Sequence, residues 1–401
     1  MLNYTGIIRS FSDLYSHNLL IKNPQPSKLS EMGYIPSLQK LFSCNNFEVI
    51  AYKDQTYKHY LEMHNQFPYD YTYMPETYSY PQEKKEIIKK FSKYKLSEDN
   101  LWLIKPKKAS LGKGIHIFHK LEDTPSDYII TKYISYPHLI NDFKYDFRVY
   151  VLITGFSPLK MYLYTDGLVR FTTEKYSLDL NKIDELYRHL TNVAINTKNK
   201  NTYKKAINAD TEEGSKWSLL VYKTYCEHNG IDFKKIWKQM ADISIKSILA
   251  VKDIFIKVIK SNGTKDKNHF KLFGYDFLVD ENLKVHLIEV NSRPSLFMTD
   301  INDMKLKPQL IADTLNIVGI TPYSHDFNDD FKPYDRDNNE EEFEEEYSDE
   351  EDGVNRALCE FGRPRGRFEL IFPLKNNFNY YKKFYKMNLK ADEMLWNNLE
   401  E

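Results

Sequence analysis

The chain has 401 residues, 41% of them hydrophobic and 15% aromatic, and its 56 Lys and Arg against 57 Asp and Glu give a net charge of −1. That length supports a sizeable core in more than one lobe, and no apolar run approaches the ~20 residues of a membrane-spanning helix. Met1 to Leu20 is broken by Asn3, Arg9, Asp13 and His17, unlike a secretory signal, and Cys44, Cys226 and Cys359 are scattered without Cys-x-x-Cys spacing, which argues against a disulfide framework or zinc site. The expectation is a soluble, cytoplasmic, monomeric protein.

Residues 1–98 read as an N-terminal domain of short apolar stretches and turns. It ends in an amphipathic helix over Glu83–Lys95, with Ile87, Ile88 and Phe91 set against a charged face. From Leu101, runs rich in Ile, Val, Tyr and Phe predict strands over Leu101–Ile104, Ile115–Phe118, Tyr128–Ile130, Phe147–Ile153 and Lys160–Tyr164. Thr165-Asp166-Gly167 predicts a turn before Leu168–Phe171. A helical stretch follows from Lys216 to Lys260. Leu272–Val279 and Val285–Asn291 predict a hairpin joined by Asp280-Glu281-Asn282. Glu340–Asp352 then holds ten acidic residues and no Lys or Arg. Without it the chain has 56 basic against 47 acidic residues, a net +9. Such a body attracts an acidic partner; nucleic acid is not expected, since neither zinc-finger spacing nor an aromatic RNA-binding signature occurs. The low-complexity acidic stretch is expected to be disordered. Phe368–Phe372 is a further apolar run ended by Pro373, and Tyr380–Leu399 predicts a terminal helix.

Chemistry concentrates in the last hairpin. Glu289 and Asn291 lie two apart on one strand and so share a face, and a short turn would bring Asp276 to join them. Two carboxylates and an amide form an oxygen-only set that suits Mg²⁺ bridging to nucleotide phosphates; the alternative is a hairpin whose polar side faces water. Trp102-Leu103-Ile104-Lys105-Pro106 followed by Gly112-Lys113-Gly114-Ile115 is a strand, a two-glycine loop and another strand. It fits a phosphate cover or an ordinary glycine-bearing turn, and it is not a Walker A loop. Lys144, Asp146 and Arg148 alternate along one strand, with Arg170 further on; arginine forks read carboxylates or phosphates, and the alternative is a surface ion pair. His189-Leu190-Thr191-Asn192 has no chemical reading of its own, and His189 reads as a structural histidine.

Taken in order, Trp102–Ile115, Lys144–Arg170, His189–Asn192, Lys216–Trp217 and Leu272–Ser295 (LFGYDFLVDENLKVHLIEVNSRPS) resemble the tubulin tyrosine ligase-like family of ATP-grasp enzymes. Weaker likeness runs through Pro75–Pro81 and Phe368–Pro373. The resemblance implies an α+β ATP-grasp fold, with ATP held between antiparallel sheets. The lobes expected are 1–98, a central lobe 99–210 and a C-terminal lobe 211–335, then a disordered insertion 336–354 and an extension 355–401 packing on the core.

The family's roles imply that Lys105, Gly112, Lys113, Gly114 and Ile115 cover the ATP phosphates. Thr131, Lys132, Tyr133 and Ile134 would form the adenine hinge. Asp276, Glu289 and Asn291 would hold Mg²⁺, with Asp276 also counted among the nucleotide contacts. Lys144, Arg148, Arg170 and Asn192 would line the reaction site. Thr131 stands where the family usually has Gln, and Arg293 where a smaller residue is expected. The implied activity joins an amino acid, with glutamate favoured over tyrosine or glycine, to a glutamate carboxylate of tubulin or another acidic protein by way of an acylphosphate. Association with microtubules follows from that partner. A catalytically inactive binder of acidic tails is the reading of another class; such a member would be expected to have lost part of the metal set, which is whole here.

Overall fold

The structure is a computed structural model. It describes residues 19–20, 40–41, 47–92, 97–108, 112–118, 127–262, 265–320, 348–386 and 390–399. Strands β1 (Leu19–Leu20) and β2 (Lys40–Leu41) form a short parallel pair. Strands β3 (Thr77–Tyr80), β4 (Trp102–Pro106), β5 (His116–Phe118) and β6 (Tyr128–Lys132) form a four-stranded antiparallel sheet in the order β3-β6-β4-β5. The larger sheet has seven strands: β7 (Leu139–Ile140), β8 (Phe143–Phe156), β9 (Leu159–Phe171), β10 (Lys216–Ser218), β11 (Lys271–Val279), β12 (Val285–Asn291) and β13 (Phe368–Phe372). Its spine runs β10-β9-β8-β11-β12, with β13 on β9 and β7 on β8. Antiparallel sheets with flanking helices make an α+β fold, as the family resemblance implies.

Both faces of the large sheet are covered, which is why its central strands read as unbroken apolar runs. Tyr145, Phe147, Val149, Val151 and Ile153 point to one face and pack against Tyr222, Ile236, Met240, Ile243, Ile248 and Phe255. Those partners come from helices Leu219–Asn229, Phe233–Leu249 and Lys252–Ser261. In the middle helix Ile236, Met240 and Ile243 recur at helical spacing, and each buried side chain of this size contributes roughly 1.5–3 kcal/mol. Asp232 caps its start by accepting from the Lys235 N–H, and Gly230, at φ 67°, ends the helix before it. On the opposite face, Tyr150, Leu152, Tyr162, Tyr164 and Leu272 pack on Leu306 and Leu310 of helix Ile301–Val318. That helix covers part of the face and leaves a polar row beside it.

Four expectations are corrected. Thr165-Asp166-Gly167 is no turn: β9 runs unbroken from Leu159 to Phe171. Gly167 lies so close to Arg148 that a Cβ would come within 2.5 Å of its backbone oxygen, so the glycine serves close strand approach and not chain reversal. The stretch from Lys216 begins as β10 before three separate helices. The expected terminal helix is two pieces, Phe378–Lys382 and Lys390–Asn397. Of the expected disordered stretch 336–354, residues up to 347 lie outside the described residues; from Asp349 the chain is helical to Phe361. Ser348 and Glu351 form a capping box there, with the Ser348 N–H donating to Glu351 Oε2 at 2.9 Å. Acidic residues at a helix start favour the helix dipole, so charge that argued for disorder stabilises structure in this place. Val354 and Ala357 of this helix bury against Leu395.

Candidate active site

Strand register assembles the polar row. Asp146 on β8 stands opposite Arg170 on β9, Arg148 on β8 opposite Asp276 on β11, and Asp276 opposite Glu289 on β12. Four neighbouring strands thus each contribute charged side chains at one level. Arg148 forks onto Asp276, its Nε donating to Oδ1 at 2.5 Å and its Nη2 to Oδ2 at 2.9 Å. Arg170 forks onto Asp146 at 2.7 and 2.6 Å and reaches Asp276 Oδ2 at 3.0 Å. The alternation of Lys144, Asp146 and Arg148 therefore marks one buried polar face and not a surface ion pair: Asp276 is 2% exposed and Arg170 8%. Burial alone would push the Asp276 carboxyl up; Arg148 and Arg170 outweigh it and hold the group below the usual carboxylate range. Gly274 gives Arg148 its place, since a Cβ there would lie 3.1 Å from Arg148 Cδ and 2.9 Å from Pro294 Cβ.

Asn291 stands opposite Gly274 in register, and its Nδ2 donates to Glu289 Oε1 at 3.2 Å. The register thus sets Asp276, Glu289 and Asn291 on one face of the hairpin. A carboxylate has about four lone-pair positions, and the two arginines occupy three on Asp276. One remains for a cation, along with the Glu289 carboxylate and the Asn291 amide oxygen. Among the described residues no group of three or more His, Cys, Asp or Glu side chains forms a metal site. Two carboxylates and an amide fit Mg²⁺, which takes one or two carboxylates and completes its shell with substrate oxygens.

Glu289 also opens onto a cleft between the two sheets. It is lined by Lys105 and Thr131 of the small sheet, Leu287 and Glu289 of β12, and Lys53 and Met74, and it is partly open to solvent. Lys53 Nζ lies 3.7 Å from Glu289 Oε2. Burial pushes the Lys105 amine down to about 8, with Glu289 opposing the shift and Lys53 adding to it. Lys144 is 6% exposed, and burial pushes its amine down to about 7, against the attraction of Asp146. Its Nζ donates to Tyr133 Oη at 2.9 Å.

The glycine loop sits over the segment that carries Asn192. Gly112 adopts φ 74°, and a Cβ there would meet Ile195 Cδ1 at 2.5 Å and Asn192 Oδ1 at 3.1 Å. Gly114, at φ 70°, faces Pro106. Lys113 is exposed, and Ile115 is half-buried. On β6, Thr131 lines the cleft and accepts from the Thr77 hydroxyl at 3.1 Å. Lys132 is exposed, and Ile134 is half-buried beyond the strand end. The Tyr133 side chain turns to Lys144. Arg293 is spent on an exposed pair with Glu48 at 2.9 Å, and Lys216 on Asp300 and Asp303 at 2.6 and 3.0 Å. Lys53 and the Tyr133–His189 contact escape sequence reading because each depends on long-range packing with no local motif.

Fold and site together define a class: an α+β protein whose two antiparallel sheets enclose a cation-rich cleft, with an oxygen-only set at its rim. Comparison with known proteins agrees. The tubulin-tyrosine ligase family model matches residues 29–326, and the chain belongs to that family. It is 32% identical to the tubulin monoglutamylase TTLL4 of Mus musculus over 273 residues, 67% of this chain and 22% of the relative. It is 34% identical to a probable beta-tubulin polyglutamylase of Tetrahymena thermophila over 301 residues, 73% of this chain and 25% of the relative. The chain thus spans about a quarter or less of those two proteins. A probable alpha-tubulin polyglutamylase Ttll1 of the same ciliate is 32% identical over 340 residues, 77% of each chain.

Proposed function

We propose that the protein is an ATP-dependent ligase of the ATP-grasp type that joins glutamate to a glutamate side chain of tubulin or another acidic protein. The observation that carries the reading is the buried row Asp146–Arg170–Asp276–Arg148 abutting the Lys105–Glu289 cleft. ATP would lie between the sheets, its base against Thr131 and its phosphates near Lys105, Lys144 and the Gly112–Gly114 loop. Mg²⁺ held by Asp276, Glu289 and Asn291 would neutralise phosphate charge.

The chemistry suits such a site. A carboxylate is a poor electrophile, so phosphorylation of the acceptor carboxylate precedes attack by the incoming amine, which expels phosphate and forms the amide. Phosphoryl transfer needs positioning and charge neutralisation, and no protein nucleophile. Arg148 and Arg170, already oriented by carboxylates, supply fixed guanidinium charge without reorganisation. The relatives' names support tubulin as acceptor and glutamate as donor, and the net +9 outside the acidic segment supports an acidic partner. Work in the cytoplasm, at microtubules, follows from that acceptor.

The test is a panel of radiolabelled glutamate, tyrosine and glycine offered with ATP, Mg²⁺ and tubulin, with ADP release followed in parallel. ATP-dependent incorporation of glutamate is expected. Incorporation of tyrosine or glycine instead would correct the donor, and no ADP release with any amino acid would favour a binder of acidic tails.

A further inference from the structure

Lys144 is buried on β8, yet aromatic side chains hold its ammonium. Besides its bond to Tyr133 Oη, Nζ sits 4.2 Å from the Tyr133 ring centroid and 5.8 Å from that of Tyr176. The Tyr133 hydroxyl lies 3.0 Å from His189 Nδ1, and the His189 ring packs edge-on against both tyrosines. Lys144 has only hydrogens to give, so the phenol oxygen accepts from it and, where Nδ1 carries no proton, donates its own hydrogen to Nδ1, with the Tyr176 hydroxyl its other side-chain partner. That direction requires a neutral imidazole with its proton on Nε2. Burial, then Lys144, push His189 down to about 4, which keeps the ring neutral at pH 7. Nε2 is buried and makes no hydrogen bond among the described residues, and the Lys182 backbone opposes the downward shift of the ring. Three residues on, Asn192 packs beneath Gly112, so one short segment supports both the glycine loop and this lysine.

We propose that His189 is a positioning residue of the ligase site: by taking the Tyr133 hydroxyl hydrogen, it turns the phenol oxygen to Lys144 and fixes the ammonium on the face shared by Asp146 and Arg148. The proposal rests on the ligase reading for its catalytic meaning but not for its geometry. The charged and titratable groups around Lys144 are Asp146 on its own strand, Lys105 on β4, and Tyr133, Tyr176 and His189. Of these, Tyr133 touches both Lys144 and His189 Nδ1 through its hydroxyl, and it also shares a hydrogen bond with Tyr176.

The test compares wild type with His189→Phe, Tyr133→Phe and His189→Gln in the full chain. His189→Phe keeps the aromatic volume and removes the acceptor; His189→Gln restores an acceptor. Two readouts are taken: the titration midpoint of Lys144, by NMR of ¹³Cε-labelled lysine assigned with Lys144→Arg, and ATP-dependent amino-acid incorporation across pH. Both Phe variants are expected to lower the Lys144 midpoint, and His189→Gln to return it toward wild type. Turnover should fall on the order of tenfold in the Phe variants, with the acceptor KM little changed and the alkaline limb of kcat moved to lower pH. An unchanged Lys144 midpoint in both Phe variants, with melting curves showing them folded, overturns the proposal. Should His189→Phe not fold, Tyr133→Phe, which deletes a single oxygen, decides. A wild-type protein that incorporates no amino acid overturns the ligase reading, and the NMR midpoints still decide the positioning role.

Discussion

Replacing Asp276 with Asn removes one charge from the centre of the row and almost no volume. The carboxylate accepts two bonds from Arg148 and one from Arg170. The amide keeps one acceptor oxygen and turns an N–H group toward guanidinium donors. Arg170 then keeps its pair with Asp146, while Arg148 loses the carboxylate it forks onto. Removing one partner of a buried ion pair costs about 3–5 kcal/mol. With an unfolding entropy of about 2.1 cal/mol/K per residue, a chain of 401 residues melting as one unit loses about 1.2 °C per kcal/mol. The melting temperature should therefore fall by roughly 4–6 °C in calorimetry at pH 7.5. Because the Asp276 carboxyl is held low when folded, its contribution is present above the unfolded value of about 3.9 and lost as pH falls through the folded value. The gap between wild type and Asp276→Asn should then stay constant from about pH 8 to pH 5 and close only in stronger acid. A loss under about 1 kcal/mol, or a gap that closes between pH 6 and 7, would refute this account of the row.

Gly112→Ala forces a side chain into a left-handed conformation at a cost of about 1–2 kcal/mol and drives Cβ toward Ile195 and Asn192; the KM for ATP in ADP release should rise several-fold while melting moves little. Arg293→Ala breaks an exposed pair worth at most about 1 kcal/mol, so melting should hardly change, and the amino-acid panel reads any change of donor preference. Nucleotide phosphates near Lys105 and Lys144, held down at about 8 and 7 by burial, must raise both amines, so ATP binding at pH 8 should take up protons and binding at pH 5.5 should not. Calorimetric titration in buffers of different ionisation heat measures that uptake.

The legible parts of this protein are those in which neighbours in sequence become neighbours in space. The hairpin Leu272–Asn291 was readable because period-2 alternation and a short polar turn together dictate that Asp276 meets Glu289, and the register agrees. The same alternation puts Asp146 and Arg148 on one face. Their neutralisation by Arg170 and Asp276 needed the register of three strands, which local pattern does not supply. Asp166-Gly167 misled for a physical reason: the pair is turn chemistry in isolation, but here the glycine admits the Arg148 backbone within a long strand. Ser348–Asp352 misled likewise, because composition weighs charge without knowing that a serine cap precedes it.

The charge balance of the buried row and the adjoining cleft bears on the proposed function. Lys53, Lys105, Lys144, Arg148 and Arg170 face Asp146, Asp276 and Glu289, five cationic side chains against three carboxylates. The two arginines cannot shed protons and are satisfied by the aspartates at hydrogen-bonding distance. The excess falls on the lysines, and two of them answer burial by titrating near neutrality. An anionic ligand resolves both problems at once, since it supplies the missing charge and removes the pressure on the amines to deprotonate. A core built only for stability would gain by replacing such lysines with apolar residues. Buried lysines beside a carboxylate-ordered pair of arginines therefore suit the proposed anionic ligand, which would bring these charges into balance.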